Sequence, residues 1–457
     1  MIRATSIVFV VVCAAGLQAR DEKVRDFQKT SQLTANGTVH VEHSMGAVRV
    51  RTQAKQEVNV RATIRCSAGN TQEASKCADH IDILVTDTAG DVSIRTRYPE
   101  NEGRNWFGGG ISFSVDYDIV IPANAKLDLR NRFGVVEVTG LRAPGSIRNS
   151  NGRVTFSDGS GAQRLQNSFG PVEVTSNTGD VTIENTNGEV SVSAVTGAVD
   201  LRNRFGKITL TKVGSAVVHN NNGAVEASGV GGTATITNSF GSVTVTDAKG
   251  DVIVDNSNGA IDIRSVEGGA DLKTSFASVK FSRVSKKVAV RSTNASVTGD
   301  SVGGSAQVAA SFGKVDLRGI KGGARVQASN SSINLDEISG EVFATTSFGG
   351  VTVDDAGGPV TVENQNGSVT VTSVAKGACQ PILLRTTFAP IKVALPPGKG
   401  YNLAAKTSFG KISSEHEVAA TGTMGDGMLN GRIGSGGCEL RLIDSNGSID
   451  ITRSVTK

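Results

Sequence analysis

A glycine falls at Gly241, Gly250, Gly259 and Gly268, every ninth residue, and most are followed by two Val or Ile residues at alternate positions. Such internal periodicity constrains a fold more than composition does, because every unit must present the same faces to its neighbours. The beat runs from Gly134 to Gly367, with a short step at Gly214 and with Ala277, Lys286 and Ala295 standing in for glycine. In the phrase GDVTIENTN, Val181 and Ile183 alternate with Asp180, Thr182 and Glu184. That alternation predicts a strand with one buried face, and the polar residues plus glycine after it predict a turn. Glycine suits the corner because it adopts positive φ at little cost.

A slower rhythm lies on top. Phe133, Phe169, Phe205, Phe240, Phe276, Phe312 and Phe348 recur every 35 or 36 residues, each just before the glycine position. Midway between them sit Asn151, Asn187, Asn222, Asn258, Asn294, Asn330 and Asn366. Three geometries fit. A two-sided solenoid with about 18 residues per coil fills a thin core easily but must alternate Phe and Asn along one edge. A four-sided coil of about 36 residues stacks Phe on Phe and Asn on Asn but has a wide interior to fill. An antiparallel meander is encouraged by Asn-Gly turns. The expected fold is all-β, a parallel β-solenoid (β-helix) of nonapeptide strand-turn units with the 18-residue coil. The Phe column is read as corner packing, and exposure of the rings would point instead to a platform for stacking on sugars. The Asn column is read as structural, through stacked side-chain amides and tolerance of left-handed corners.

The ends differ from this beat. Residues 1–19 read as a secretory signal: Arg3, an apolar stretch from Ile7 to Leu17, and a small-residue site at Ala19. A lipoprotein reading at Cys13 is weaker, because the preceding Val12 is not small. Residues 20–128 are expected to form a β-rich cap, with a short helix that Asn70 or Thr71 could cap and a loop at 101–110 carrying Trp106. Regular repeats follow over 129–376, then C-terminal coils and a cap over 377–457. Four cysteines remain after the signal: Cys66, Cys77, Cys379 and Cys438. An even number in an exported chain favours two disulfides, and of the three pairings proximity favours Cys66–Cys77 and Cys379–Cys438. No other apolar run reaches transmembrane length.

Several chemistries are weighed and set aside. A net charge of +4 with acids and bases interspersed argues against a nucleic-acid footprint. A calcium roll needs a carboxylate column, but the equivalent positions hold Thr175, Glu184, Ser193, Arg202, Thr211, Thr246 and Asp255. Asp354 and Asp355 are neighbours on a strand, so they point to opposite faces and read as a turn pair rather than a glycosidase dyad. His40 and His43, three apart on a strand, do not share a face, so no metal site is expected there. The glycine run GRIGSGG at 431–437 lacks a strand–loop–helix context and reads as a corner. Arg130, Arg132, Arg202 and Arg204 flank two Phe corners, as a small anion-attracting patch or as ordinary solvated arginines. No catalytic residue, cofactor or metal ligand is assigned.

The opening NGTVHVEHSMGAVRV, the helix before IDILV, the entry VDYDIVIPANAKLDLRNRFGVVEV, and the closing LPPGKGYNLAAKTSFGKI and IGSGGCELRLIDSNGSIDI occur in that order. In these the chain resembles the bacterial DUF4097 β-strand-repeat family, also described as adhesin domains, over nearly its whole mature length. The resemblance implies a β-helical, envelope-associated, non-enzymatic protein. The expected function is a secreted or envelope-displayed binding scaffold for a glycan, envelope polymer or protein partner. The alternative is a structural or regulatory envelope module that self-associates or senses stress, and a carbohydrate-active enzyme comes third.

Overall fold

A computed structural model describes residues 20–88, 90–98, 110–374, 379–421, 425 and 427–454. The signal segment and Trp106 lie outside the described residues. The chain divides into two compact units, one ending at Leu141 and one beginning at Arg142.

In the second unit, strands pair parallel with the next strand but one. Val252–Asn258 pairs with Ala270–Phe276 so that Val252 faces Ala270 and Val254 faces Leu272, an offset of 18 residues. Ile261–Val266 pairs with Val279–Val284 with the same offset. Each coil therefore has two strands on two sheets, which decides between the three geometries in favour of the 18-residue parallel solenoid. Successive nine-residue segments lie across the core from one another. The core is thin: Val252, Val254, Ile261, Ile263 and Val266 are all at most 1% exposed. Burying an aliphatic side chain of this size stabilises by about 1.5–3 kcal/mol, repeated on every coil. The short step at Gly214 appears as an irregularity between Val195 and Ala198, after which the offset is 17 residues.

The two corners of a coil solve the backbone problem differently. At the Phe/Asn corner the glycines sit close beneath one another: a Cβ on Gly259 would lie 1.8 Å from the Gly241 carbonyl oxygen, so any side chain blocks stacking. At the other corner the left-handed residue is mostly not glycine. Asp158, Ser176, Ala194, Lys212, Asp247 and Ser265 all have φ between 53° and 57°. Close approach demands glycine there too, since a Cβ on Gly268 would lie 2.4 Å from the Gly250 carbonyl oxygen, and this corner adds a left-handed L-residue just before the glycine at about 1–2 kcal/mol each.

The far end of this unit does not wind in chain order. Strand Ile382–Arg385 pairs with Cys438–Ile443, which pairs in turn with Tyr401–Lys406. Ile391–Leu395 likewise pairs with Ile449–Arg453, and that strand with Ile412–Ser414. The last stretch of chain is an inserted coil, wedged between two coils made earlier. The Cys379–Cys438 disulfide ties the start of this insertion to the preceding coil. Met428–Ile433 runs antiparallel to Tyr401–Lys406 and to Val418–Ala420. It shields part of a sheet edge that would otherwise offer unpaired backbone groups.

In the first unit, Asp21–Gln32 and Ser112–Pro122 both run antiparallel to Glu57–Ala68. Thr38–Glu42 runs parallel to Asp91–Arg97 and to Lys126–Phe133, pairings that are distant in the chain and lack the 18-residue offset, and Asp82–Thr88 forms a hairpin with Asp91–Arg97. The helix spans Thr71–Asp79, and Asn70 is its cap, its side chain accepting from the Glu73 amide at 2.9 Å. Ala74, Cys77 and Ala78 form its buried face, and Cys77 is bonded to Cys66.

Candidate functional site

The backbone register puts the Phe and Asn columns on one edge of the second unit. Asn151 faces Phe169, Phe169 faces Asn187, and Asn187 faces Phe205. The alternation continues through Phe276 facing Asn294 and Asn294 facing Phe312. It extends past the sequence repeats. The Phe388 amide donates to Gln365 next to Asn366, Asn446 to Thr387 next to Phe388, and Phe409 to Ser445 next to Asn446. The inserted coil thus supplies the missing Asn between Phe388 and Phe409. Neighbouring coils are ~4.8 Å apart, so rings follow one another at ~9.6 Å.

The reading of the Phe column as corner packing is corrected. Phe169, Phe205, Phe240, Phe276, Phe312 and Phe348 are 42–56% exposed, Phe388 is 62% exposed and Phe409 84%. The cause is geometric: these residues sit at the corner itself, where the side chain points along the edge of the thin core and away from it. In the first unit Phe133 is also 43% exposed and bridges to Met45.

The Asn column is corrected too. Its members are half-buried (Asn151, Asn187, Asn222) or exposed (Asn258, Asn294, Asn330, Asn366), and Phe alternates with Asn along the edge, so amide cannot stack on amide. The stacked amides lie two residues earlier. Asn167, Asn185, Asn203, Asn220, Asn238 and Asn256 are at most 6% exposed. Asn167 donates to the Gly152 carbonyl of the preceding coil at 3.0 Å and to Gly170 of its own at 3.1 Å. Asn256 does the same with Gly241 and Gly259 at 2.9 and 2.8 Å. This inner ladder holds the glycine corners in place, and the Phe/Asn edge is built on it. Its signal in the sequence is an asparagine two residues before each column residue from Asn151 to Asn258, as in QNSF, ENTN and DNSN, with Thr274, Ser292, Ala310, Ala328 and Thr346 taking the place over the next five coils.

The arginines have local partners within each unit. In the second unit Arg202 pairs with Asp200 at 3.2 Å, and the Arg204 guanidinium lies 5.5 Å from the Phe205 ring centre. In the first unit Arg130 pairs with Asp128 at 3.5 Å and Arg132 lies over Phe133 at 5.7 Å. Arg132 and Arg204, next in sequence to Phe133 and Phe205, each lie within cation–π range of their own ring.

Other candidates resolve locally. His40 is exposed and lies 3.6 Å from Asp128, while His43 is buried. His43 Nδ1 is 3.0 Å from the Thr96 hydroxyl and 3.3 Å from the Tyr98 hydroxyl, and its ring meets Tyr117 edge-on at 4.9 Å. Desolvation lowers its pKa to about 4, against smaller opposing effects from the backbone of Val115 and Met45 and from Asp116. Burial pushes the Tyr98 phenol up to about 12. Asp354 accepts from the Thr372 hydroxyl at 2.8 Å, and Asp355 takes a left-handed corner at φ 50°. The glycine run 431–437 begins in strand Met428–Ile433, and its residues 434–437 form the turn into Cys438–Ile443. Among the described residues no three His, Cys, Asp or Glu side chains cluster as metal ligands, and no helix is long and apolar enough to cross a membrane.

The described residues define a parallel β-solenoid with an aromatic edge. No family model matches the chain, and no curated protein matches it. Among solved structures it is similar to a putative cell adhesion protein from Clostridium sporogenes, at 8% identity with a TM-score of 0.15, over 94% of this chain and 100% of that one. A likeness at that level carries no argument about fold or function.

Proposed function

We propose that this chain is an exported, non-enzymatic β-solenoid of the DUF4097 type, a scaffold that binds through its Phe/Asn edge. The observation that carries the reading is the row of eight rings in the second unit, each 42–84% exposed and in register. Water-exposed aromatic surface on this scale marks an interaction site rather than a fold requirement. Its periodicity suits a partner with a repeat of its own, such as an envelope polymer, a glycan or a protein, because weak contacts sum when spacings match. Two disulfides support an oxidising compartment.

The test is a pull-down from envelope fractions and purified surface polymers. The bait is the full chain or a variant carrying Phe240→Ser, Phe276→Ser and Phe312→Ser. Capture by the wild type and loss by the variant is the expected result. Equal capture by both would remove the edge from the function, and release of new reducing ends from a polysaccharide would replace the scaffold with an enzyme.

A further inference from the structure

Resting on the reading of this edge as a binding surface, we propose that its partner is a second copy of the chain. The two edges pair antiparallel, with every Phe of one copy opposite an Asn of the other. Three observations lead there.

The first is order along the edge. From Asn151 to Phe409 the second unit presents Asn and Phe in strict alternation, beginning with Asn and ending with Phe. An antiparallel copy in full overlap then places Phe against Asn at every level, with a twofold axis between Phe276 and Asn294. Ring meets gap instead of ring meeting ring, and an amide N–H can lie on a ring face. A second copy also carries the same ~9.6 Å ring repeat, so the two spacings match without adjustment. The arrangement is isologous and closes on itself, as most homodimer interfaces do.

Area is the second. At ~200 Å² per phenylalanine, eight rings exposed by 42–84% offer on the order of 900 Å² of aromatic surface. A stable interface needs about 800 Å² from each partner.

The third is charge. One residue in five of this chain is charged, yet the corner segments 221–224, 239–242, 257–260, 275–278 and 293–296 contain none. The proposed twofold axis falls within that run, between its last two segments. Charged neighbours of the edge occur outside that run, at Arg153, Glu189, Arg204, Lys207 and Lys411, with Lys314 directly after it. Loss of charge at the centre with polar and charged residues outside it is the anatomy of an interface. A long edge meant to stay solvated is normally guarded by charge.

Sedimentation velocity on the full chain, with thiol crosslinking, tests this. The wild type is expected to form a concentration-dependent dimer. Phe240→Ser with Phe276→Ser and Phe312→Ser is expected to weaken it on the order of 100-fold or more. Asn294→Arg, an exposed position that leaves every ring in place, is expected to weaken it too, and circular dichroism checks that both variants fold. With a short bismaleimide, Asn294→Cys is expected to crosslink to its own copy across the axis, and Asn151→Cys, far from it, is not. A dimer that survives the ring substitutions, or that crosslinks through Asn151→Cys, overturns the antiparallel edge pairing. A chain that stays monomeric but captures an envelope polymer through its rings overturns the second copy and leaves the proposed scaffold standing. A monomer that captures nothing removes both.

Discussion

Asn256 bridges two coils: its amide donates to the Gly241 carbonyl below at 2.9 Å and to the Gly259 carbonyl of its own turn at 2.8 Å. The side chain is wholly buried, so the bonds have no water to compete with them. Asn256→Ala strands the Gly259 carbonyl and leaves the Gly241 carbonyl to the Asn238 amide alone, and an unsatisfied buried polar group costs about 1–3 kcal/mol. Because a repeat array need not unfold in one step, the loss is best read locally. Hydrogen exchange at the corners around Gly241 and Gly259 is expected to accelerate, and corners several coils away to keep their protection.

Corner chemistry gives a contrast within one coil type. Ala194 sits at φ 53° and is exposed, a conformation in which a Cβ is unfavourable. Ala194→Gly removes about 1–2 kcal/mol of backbone strain and adds about 0.5–1 kcal/mol of unfolded-state entropy, for a small net stabilisation. Gly259→Ala is expected to do the reverse severely, since the new methyl would overlap the Gly241 carbonyl. Thermal melts of the two variants, compared with the wild type, check the opposite signs.

The fold was legible in the sequence because the nine-residue beat fixed strand length, and the alternating Val and Ile residues fixed the inward face. The beat also chose correctly between 18 and 36 residues per coil once the width of the core was considered. Side-chain direction at the corners was not legible. A phenylalanine at a fixed step reads as core by its hydrophobicity alone, and only the backbone shows that Phe169 or Phe276 points outward at the turn. The buried Asn167–Asn256 ladder was written in the sequence at an 18-residue spacing, but the more conspicuous column two residues later masked it. Asn446 could not be placed, because it enters the edge from an inserted coil and lies out of chain order between Phe388 and Phe409.

Acid should weaken the first unit through His43. Burial holds its folded pKa at about 4, below the ordinary value of 6.5, so the folded state carries a neutral ring. A depressed base binds fewer protons folded than unfolded. Its contribution is therefore fully present above about pH 6.5 and is lost as pH falls towards 4, by up to about 3 kcal/mol. His43→Gln, which cannot gain a proton, is expected to flatten the dependence of melting temperature on pH between 6.5 and 4. A His43 resonance titrating near its ordinary value in the folded chain would contradict this.

The inserted C-terminal coil depends on a covalent tie. Cys379 and Cys438 are 59 residues apart, and closing a loop of that size stabilises by about 4 kcal/mol in the chain-entropy account. Strand Cys438–Ile443 begins at this bond and lies between Ile382–Arg385 and Tyr401–Lys406, with backbone partners on both sides. Replacing both cysteines by serine should leave the Val252–Ile338 coils protected, since none of their register pairs involves the insertion. Protection of residues 438–453 should fall, and limited proteolysis should open the chain there first. Because Asn446 fills the slot between Phe388 and Phe409, the same variant should also disorder the end of the aromatic edge while leaving Phe240, Phe276 and Phe312 in register. Uniform loss of protection along the whole unit would show that the insertion is integral to the stack rather than its removable end.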